Sequence, residues 1–367
     1  MQQAALASYL ASVFEGPVEV LGLRPLGGPD ADGKDPKGFG YGVPFEVECV
    51  VGGTVRSLVV ARTRVVQGFG HDYPADRAWQ ALHGHVAYNS FPGHVRSLDV
   101  GFARPSGALV SAGDATEFFQ LVEKAEGKLY WLDLDRLLTA PVGSLDTARA
   151  RELGGFLARA HAVKRDEPTL YERRIRELVA HGECLMGILD SYPHPYALLP
   201  PPVCEALEHD AVSWRWRLRG RAHRLACVHG DFHPWNLLFR DGTDFSALDR
   251  SRGEWGEPAD DVSALGINYL FFGLRKAALE ARRGLAEPFV TLFQAFLEAY
   301  TDVSKDPELF EVMPPFLAFR ALVIGHPRWY PALARRTREA LFGFARSLMA
   351  GGPLTAAGVP ELLGGIA

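Results

Sequence analysis

The sequence predicts an α+β protein, with an antiparallel β-sheet and one helix toward the N-terminus and a larger, mainly helical C-terminal part. Three observations predict it. Residues 17–64 alternate apolar and polar positions around a Gly-Gly pair, as strands do. Beyond Asp133 apolar residues recur every three or four positions, as on one face of a helix. Finally, 367 residues exceed the roughly 100–200 that one core usually holds. Two units are therefore expected, 1–123 and 124–367.

In order, MQQAALASYLASVF carries Leu6, Tyr9, Leu10 and Val13 at helical spacing and lacks the basic region of a secretion signal. In PFEVECVV, Glu46 and Glu48 alternate with Val47 and Cys49, which predicts a sheet with one wetter face. Gly52-Gly53 then joins this strand to TVRSLVVARTR as an antiparallel hairpin. YPADRAWQALHGHVAYNSF reads as a helix with Asp72 placed to cap it and Pro74 in its first turn. ALVSA and EFFQLVEKA are expected to be strands. Helical segments follow: LDTARARELGGFLARAHAV, with Leu153, Phe156, Leu157 and Ala160 on one stripe, then YERRIRELVAHGECLMGILDSY and several later ones. PHPYALLPPP, residues 193–202, reads as a loop.

Apolar residues make up 47% and charged residues 23%, which excludes a disordered or fibrous chain. A net charge of −5 offers no basic field for nucleic acid. The run Arg215, Arg217, Arg219, Arg221 and Arg224 is expected to be a solvated helix face. Cys49, Cys184, Cys204 and Cys227 are too scattered for a zinc site or a disulfide framework, which fits a reducing cytoplasm. No uncharged run of about 18 apolar residues is present, so no membrane span is expected.

Chemistry concentrates in CVHGDFHPWNLLF, residues 227–239. A short strand enters it, and NLLF-RDGT-DFSALD leaves it as a hairpin turning at Asp241-Gly242. That hairpin sets Asn236 opposite residues 247–249, so Asn236 and Asp249 meet at its open end. Amide and carboxylate oxygens are hard ligands suited to Mg²⁺, which takes only one or two protein groups and fills its shell with water and phosphates. Asp231, at the end of the entering strand, is a carboxylate left free to accept a hydroxyl proton, the division of labour that phosphoryl transfer requires. His229 is expected to be a buried strut and His161 a satisfied core histidine. His229, Asp231 and His233 also spell H-x-D-x-H, but no second cluster completes a metal hydrolase.

HGDFHPWN resembles the catalytic loop of the aminoglycoside phosphotransferase and choline kinase superfamily, and Gly256 to Asp261 is similar to its G-D-P-A-x-D. The resemblance implies a two-lobed protein-kinase-like fold with ATP or GTP between the lobes, Mg²⁺ as cofactor and a small-molecule hydroxyl as acceptor. It implies further that Asp261 braces the catalytic loop, that Arg62 grips the phosphates, and that Gly38, Gly40 and Gly42 cover them. The backbone of Val122, Glu123, Lys124 and Ala125 would read the base. Glu254, Trp255, Asp260, Glu298, Tyr300 and Asp302 lie in or after the segment that builds the acceptor pocket, and their acidic and aromatic character would favour a cationic acceptor. No glutamate occurs between Glu48 and Glu117 to pair with Arg62, leaving Asp76, Gln80 or nothing. That departure motivates a second reading, a nucleotide-binding pseudokinase or regulatory module without turnover.

Overall fold

The computed structural model describes residues 2–26, 40–67 and 69–367. It divides into two compact units, residues 1–122 and 123–367.

The first unit begins with α1 (Gln3–Val13) and continues as the antiparallel sheet β1 (Val18–Pro25), β2 (Gly42–Val51) and β3 (Thr54–Thr63), in that spatial order. Gly52 and Gly53 turn β2 into β3 with φ of 55° and 79°, left-handed values that a side chain would strain. Alternation then decides the faces. Val47 and Cys49 are fully buried with Leu6 and Leu10 of α1, while Glu46 points to the wetter side and binds Arg24 and Ser57 at 2.8 Å. The helix α2 (Pro74–Ser90) starts one residue later than the capping signal suggested: Tyr73 is its N-cap, and Asp76 accepts the Tyr73 N–H at 2.9 Å. A hairpin of β4 (Gly101–Ala103) and β5 (Leu109–Ser111) closes the unit. EFFQLVEKA, expected as a strand, carries no regular structure. Phe119 and Leu121 are each 92% exposed there, so alternating apolar letters found no sheet to cover.

The second unit is helical around two small sheets. The pair β6 (Lys128–Leu129) leads into α3 (Tyr130–Arg136), followed by α4 (Ser144–His161), α5 (Pro168–Ala180), α6 (Leu185–Ser191) and α7 (Pro201–Leu218). Next come β7 (Ala226–Cys227), β8 (Leu237–Phe239), β9 (Phe245–Ala247) and β10 (Trp255–Gly256). The chain ends with α8 (Pro258–Leu279), α9 (Glu287–Ser304), α10 (Leu309–Val312), α11 (Pro314–Gly325), α12 (Arg335–Met349) and α13 (Gly358–Ile366). α8 is apolar nearly all round and is the core helix. α4 approaches α9 so closely that a Cβ on Gly154 would lie 2.3 Å from the Phe296 carbonyl, so only glycine fits. Among the described residues no helix is long and apolar enough to cross a membrane.

Arg224 departs from the expected solvated face. It is 4% exposed, binds both Glu257 oxygens at 2.8–3.0 Å and Asp306 at 2.7 Å, and thereby ties the start of α8 to the end of α9. Glu257 is itself the N-cap of α8, accepting from Ala259 N–H.

Candidate active site

The site is built on the pair β7–β10, whose register sets Cys227 opposite Trp255. This pairing presses the loop after β7 against residues 252–254, with Val228 N–H donating to the Glu254 carbonyl at 3.1 Å. Gly230 is required twice over: its φ is 87°, and a Cβ there would lie 2.7 Å from the backbone of Arg252 and Gly253. Phe232 anchors the loop, fully buried against Phe156 and His229, a burial that contributes about 1.5–3 kcal/mol.

Asp261, in the first turn of α8, holds that loop from beneath. Its carboxylate accepts the backbone N–H groups of His229 and Gly230, both at 2.7 Å, and faces His161 Nε2 at 3.1 Å. His161 Nδ1 in turn meets the Tyr300 hydroxyl at 3.0 Å, so both ring nitrogens are used. Burial works to raise the Asp261 carboxyl, but the hydrogen bonds and charges of His161 and His229 outweigh it and hold it below the usual carboxylate range.

Asp231 projects from the loop with its side chain 18% exposed. One oxygen, Oδ1, is ion-paired with Arg320 Nη1; the other, Oδ2, lies 3.4 Å from His233 Nε2. Burial again opposes ionisation, yet His233, Arg320 and Arg252 together hold the carboxyl well below its ordinary value. His229 Nδ1 accepts the Asp231 backbone N–H at 3.3 Å, and burial lowers the basicity of this imidazole.

The hairpin forms with Leu237 opposite Ala247 and Phe239 opposite Phe245. Its turn is held from outside by Arg149, which donates to the carbonyls of Arg240 and Gly242 at 3.0 and 2.8 Å and to Asp133 at 2.6 Å. At the open end Asn236 accepts the Leu248 N–H at 2.8 Å through its backbone. Its amide nitrogen donates to the Asp231 carbonyl at 3.0 Å, which leaves the amide oxygen as the group able to bind a ligand. Asp249 follows with φ of 50°, exposed, one oxygen accepting the Ser251 N–H at 3.2 Å. An amide oxygen and an exposed carboxylate fit a magnesium-type ion, which needs few protein ligands. Among the described residues no group of three or more His, Cys, Asp or Glu forms a metal cluster.

The other residues singled out by sequence have the following surroundings. Arg62 is exposed on β3 opposite position 43 and makes no ion pair among the described residues; Asp76 caps its own helix and Gln80 turns to His71 at 2.5 Å. Gly40 precedes β2 and Gly42 begins it, whereas Gly38 is outside the described residues. Val122 to Ala125 run without regular structure, and Lys124 pairs with Glu126 at the surface. The six residues suggested for a cationic acceptor do not converge. Tyr300 is buried on His161, Glu298 pairs with Arg151 at 3.0 Å, and Asp302 lies exposed 3.7 Å from Lys305. Glu254 is exposed, and Trp255 lies under the Arg165 guanidinium at 5.3 Å. The Asp260 side chain adjoins the loop through Arg320, whose Nη2 and Nε bind its Oδ1 at 2.7 and 3.0 Å. Helical periodicity spread α9 around its axis, so neighbours in sequence face different ways. Sequence reasoning missed Arg320 altogether, since nothing local marks an arginine on an apolar helix as the partner of two distant acids.

A model of the phosphotransferase enzyme family matches residues 102–292, just over half of the chain. The chain belongs to this family. It is thus a small-molecule phosphotransferase, transferring from an ATP-type donor to an alcohol group. No curated protein matches it. Among solved structures, a glucosamine kinase with glucosamine, ADP and inorganic phosphate is 18% identical over 61% of this chain and 58% of its own, with a TM-score of 0.37. An amicoumacin kinase bound to AMP-PNP and Ca²⁺ is 16% identical over 91% and 89%, TM-score 0.41. A choline/ethanolamine kinase family protein from Mesorhizobium loti is 14% identical over 78% and 82%, TM-score 0.37. Likeness at this level says nothing further about the phosphotransferase's substrate.

Proposed function

We propose that this phosphotransferase moves the γ-phosphoryl of ATP or GTP to a hydroxyl of a small-molecule acceptor, with Asp231 as the base. The observation that carries the reading is a carboxylate paired with Arg320 and facing His233, five residues before Asn236, where the β8–β9 hairpin opens.

Asp231 Oδ2, the oxygen not paired with Arg320, receives the acceptor O–H and later its proton. The acceptor oxygen then forms a bond to the γ-phosphorus as the bond to the β-phosphate bridging oxygen breaks, and the nucleoside diphosphate leaves. A carboxylate this acidic is a weak base, so its main work is orientation, with the proton moving late; that suits a loose phosphoryl-transfer transition state. Asp261 keeps the loop from drifting, because displacement of the order of an ångström costs large factors in rate. Asn236 and Asp249 would hold a divalent cation, which when bound neutralises charge on the β- and γ-phosphates. Arg62 on the phosphates and the Val122–Ala125 backbone on the base complete the reading.

Asp231→Asn tests it. The expected result is a kcat lower by about 10²–10⁴-fold, the usual share of a general base, with nucleotide affinity nearly unchanged by calorimetry. Loss of nucleotide binding along with turnover, in a variant with wild-type circular dichroism, would remove Asp231 from the role.

A further inference from the structure

Arg320 stands in the middle of α11, with a side chain only 7% exposed. It lies outside the residues matched by the family model. Its guanidinium bonds Asp231 Oδ1, the Gly230 carbonyl at 2.9 Å and Asp260 Oδ1 twice, with its carbon 5.0 Å from the Phe319 ring centre. At least four of the five N–H donors an arginine possesses are committed. A buried cation so placed neutralises charge at the position where an ammonium-bearing acceptor would seek it.

The surroundings of the base agree. Asp231 and Asp260 both pair with Arg320 from α11, Arg252 from the segment before β10 adds a second positive charge for Asp231 and pairs with Glu183 at 3.4 Å, and Asp261 lies beneath the loop on the His229 and Gly230 N–H groups. Further titratable groups beside these charges are His229 and His233 of the loop, Cys184 at the start of α6 and Tyr330 beyond α11. The Asp231 and Asp260 carboxylates are thus each already paired with a cation. Aromatic rings lie beside the loop: Trp235 stacks 6.2 Å from Trp131 at 13° and meets Tyr330 edge-on at 6.0 Å, while His233 lies 5.9 Å from Trp235. Flat indole and phenol faces suit the C–H face of a ring carrying hydroxyls.

Resting on the reading of Asp231 as base, we propose that Arg320 determines acceptor specificity: by taking up Asp260 and one oxygen of Asp231, it selects an uncharged hydroxyl compound, a sugar or cyclic polyol, over its ammonium-bearing counterpart. A second cation brought to Asp231 meets a guanidinium already in hydrogen-bonding contact, and repulsion at such range in a partly desolvated site is felt directly in the transition state.

The test measures kcat/KM, by nucleoside diphosphate release, over an acceptor library sorted into matched pairs: glucose and glucosamine, 3,3-dimethylbutanol and choline, cyclic polyols and their amino derivatives. The best acceptor of the wild type should be uncharged, and each uncharged member should exceed its amine by about tenfold or more. Arg320→Gln should shift that ratio toward the amine by about tenfold or more, whereas Arg320→Lys, which keeps the charge, should lower kcat and preserve the ratio. Should Arg320→Gln fail to fold, Asp260→Asn serves in its place, and there the ratio should move further toward the uncharged member. An amine as best wild-type acceptor, or a ratio unmoved in folded Arg320→Gln or in Asp260→Asn, would overturn the assignment. Turnover retained in Asp231→Asn would instead defeat the base reading, so the two failures are distinguishable.

Discussion

Replacing Asp261 with asparagine probes the brace under the loop that follows β7. The carboxylate receives two backbone N–H groups at 2.7 Å and His161 at 3.1 Å, with no exposure to solvent. Asparagine fills the same volume but accepts through one oxygen only, so its NH₂ must confront either the His229 or the Gly230 N–H. A hydrogen bond to a charged group is worth about 1.5–3 kcal/mol, and a buried donor left unpaired costs about 1–3 kcal/mol more. The expected loss is about 3–4 kcal/mol, a large share of the 5–15 kcal/mol that typically holds a domain together. For a unit of this size that means a fall in Tm of roughly 6–16 °C. The pH dependence has a definite sign. Because the folded Asp261 carboxyl lies below its unfolded value of about 3.9, its contribution is complete above that pH and is lost as pH falls through the folded value. Urea denaturation followed by circular dichroism should therefore show a gap between wild type and variant that is full at pH 7 and narrows below about pH 4. In turnover, kcat should fall by roughly 10²-fold through displacement of Asp231, with little change in nucleotide affinity. A variant melting with the wild type, or a gap that widens in acid, would refute the bracing role.

Arg224→Met should cost about 3–5 kcal/mol, because Glu257 and Asp306 are left buried without their cation; adding Glu257→Gln should recover part of it, and denaturation of the single and double variants checks both. Additive losses would show that the two do not act as a pair. Asp249→Asn should leave Tm unchanged, since the side chain is exposed and makes one bond to Ser251. Removing the charge should raise the magnesium concentration for half-maximal rate by roughly 30–100-fold, the equivalent of about 2–3 kcal/mol, which titration of the initial rate reads directly.

Much of the loop and hairpin was legible because its determinants are local. Asp241-Gly242 selects a turn, the turn sets Leu237 against Ala247, and that register carries Asn236 and Asp249 to one end. The α1 stripe and the Val47–Cys49 alternation were readable for the same reason, each pattern repeating within a few residues. EFFQLVEKA misled because alternation shows what a strand could bury, not whether a sheet is there to receive it. Of the suggested acceptor residues on α9, Glu298 and Asp302, four positions apart, share the exposed face, whereas Tyr300 is turned 200° from each into the core, because a helix turns 100° per residue.

Taken alone, the residue order determined most of the elements, the hairpin and the loop that brings Asn236 to its open end, since propensity, turn type and alternation act over a handful of bonds. Tertiary structure alone decided where charge is cancelled. Arg320 reaches Asp231 across 89 positions, and Arg224 reaches Asp306 across 82. Such pairs exist because burial makes a lone charge intolerable, and burial is a property of the folded chain that leaves no mark on the neighbours of either residue.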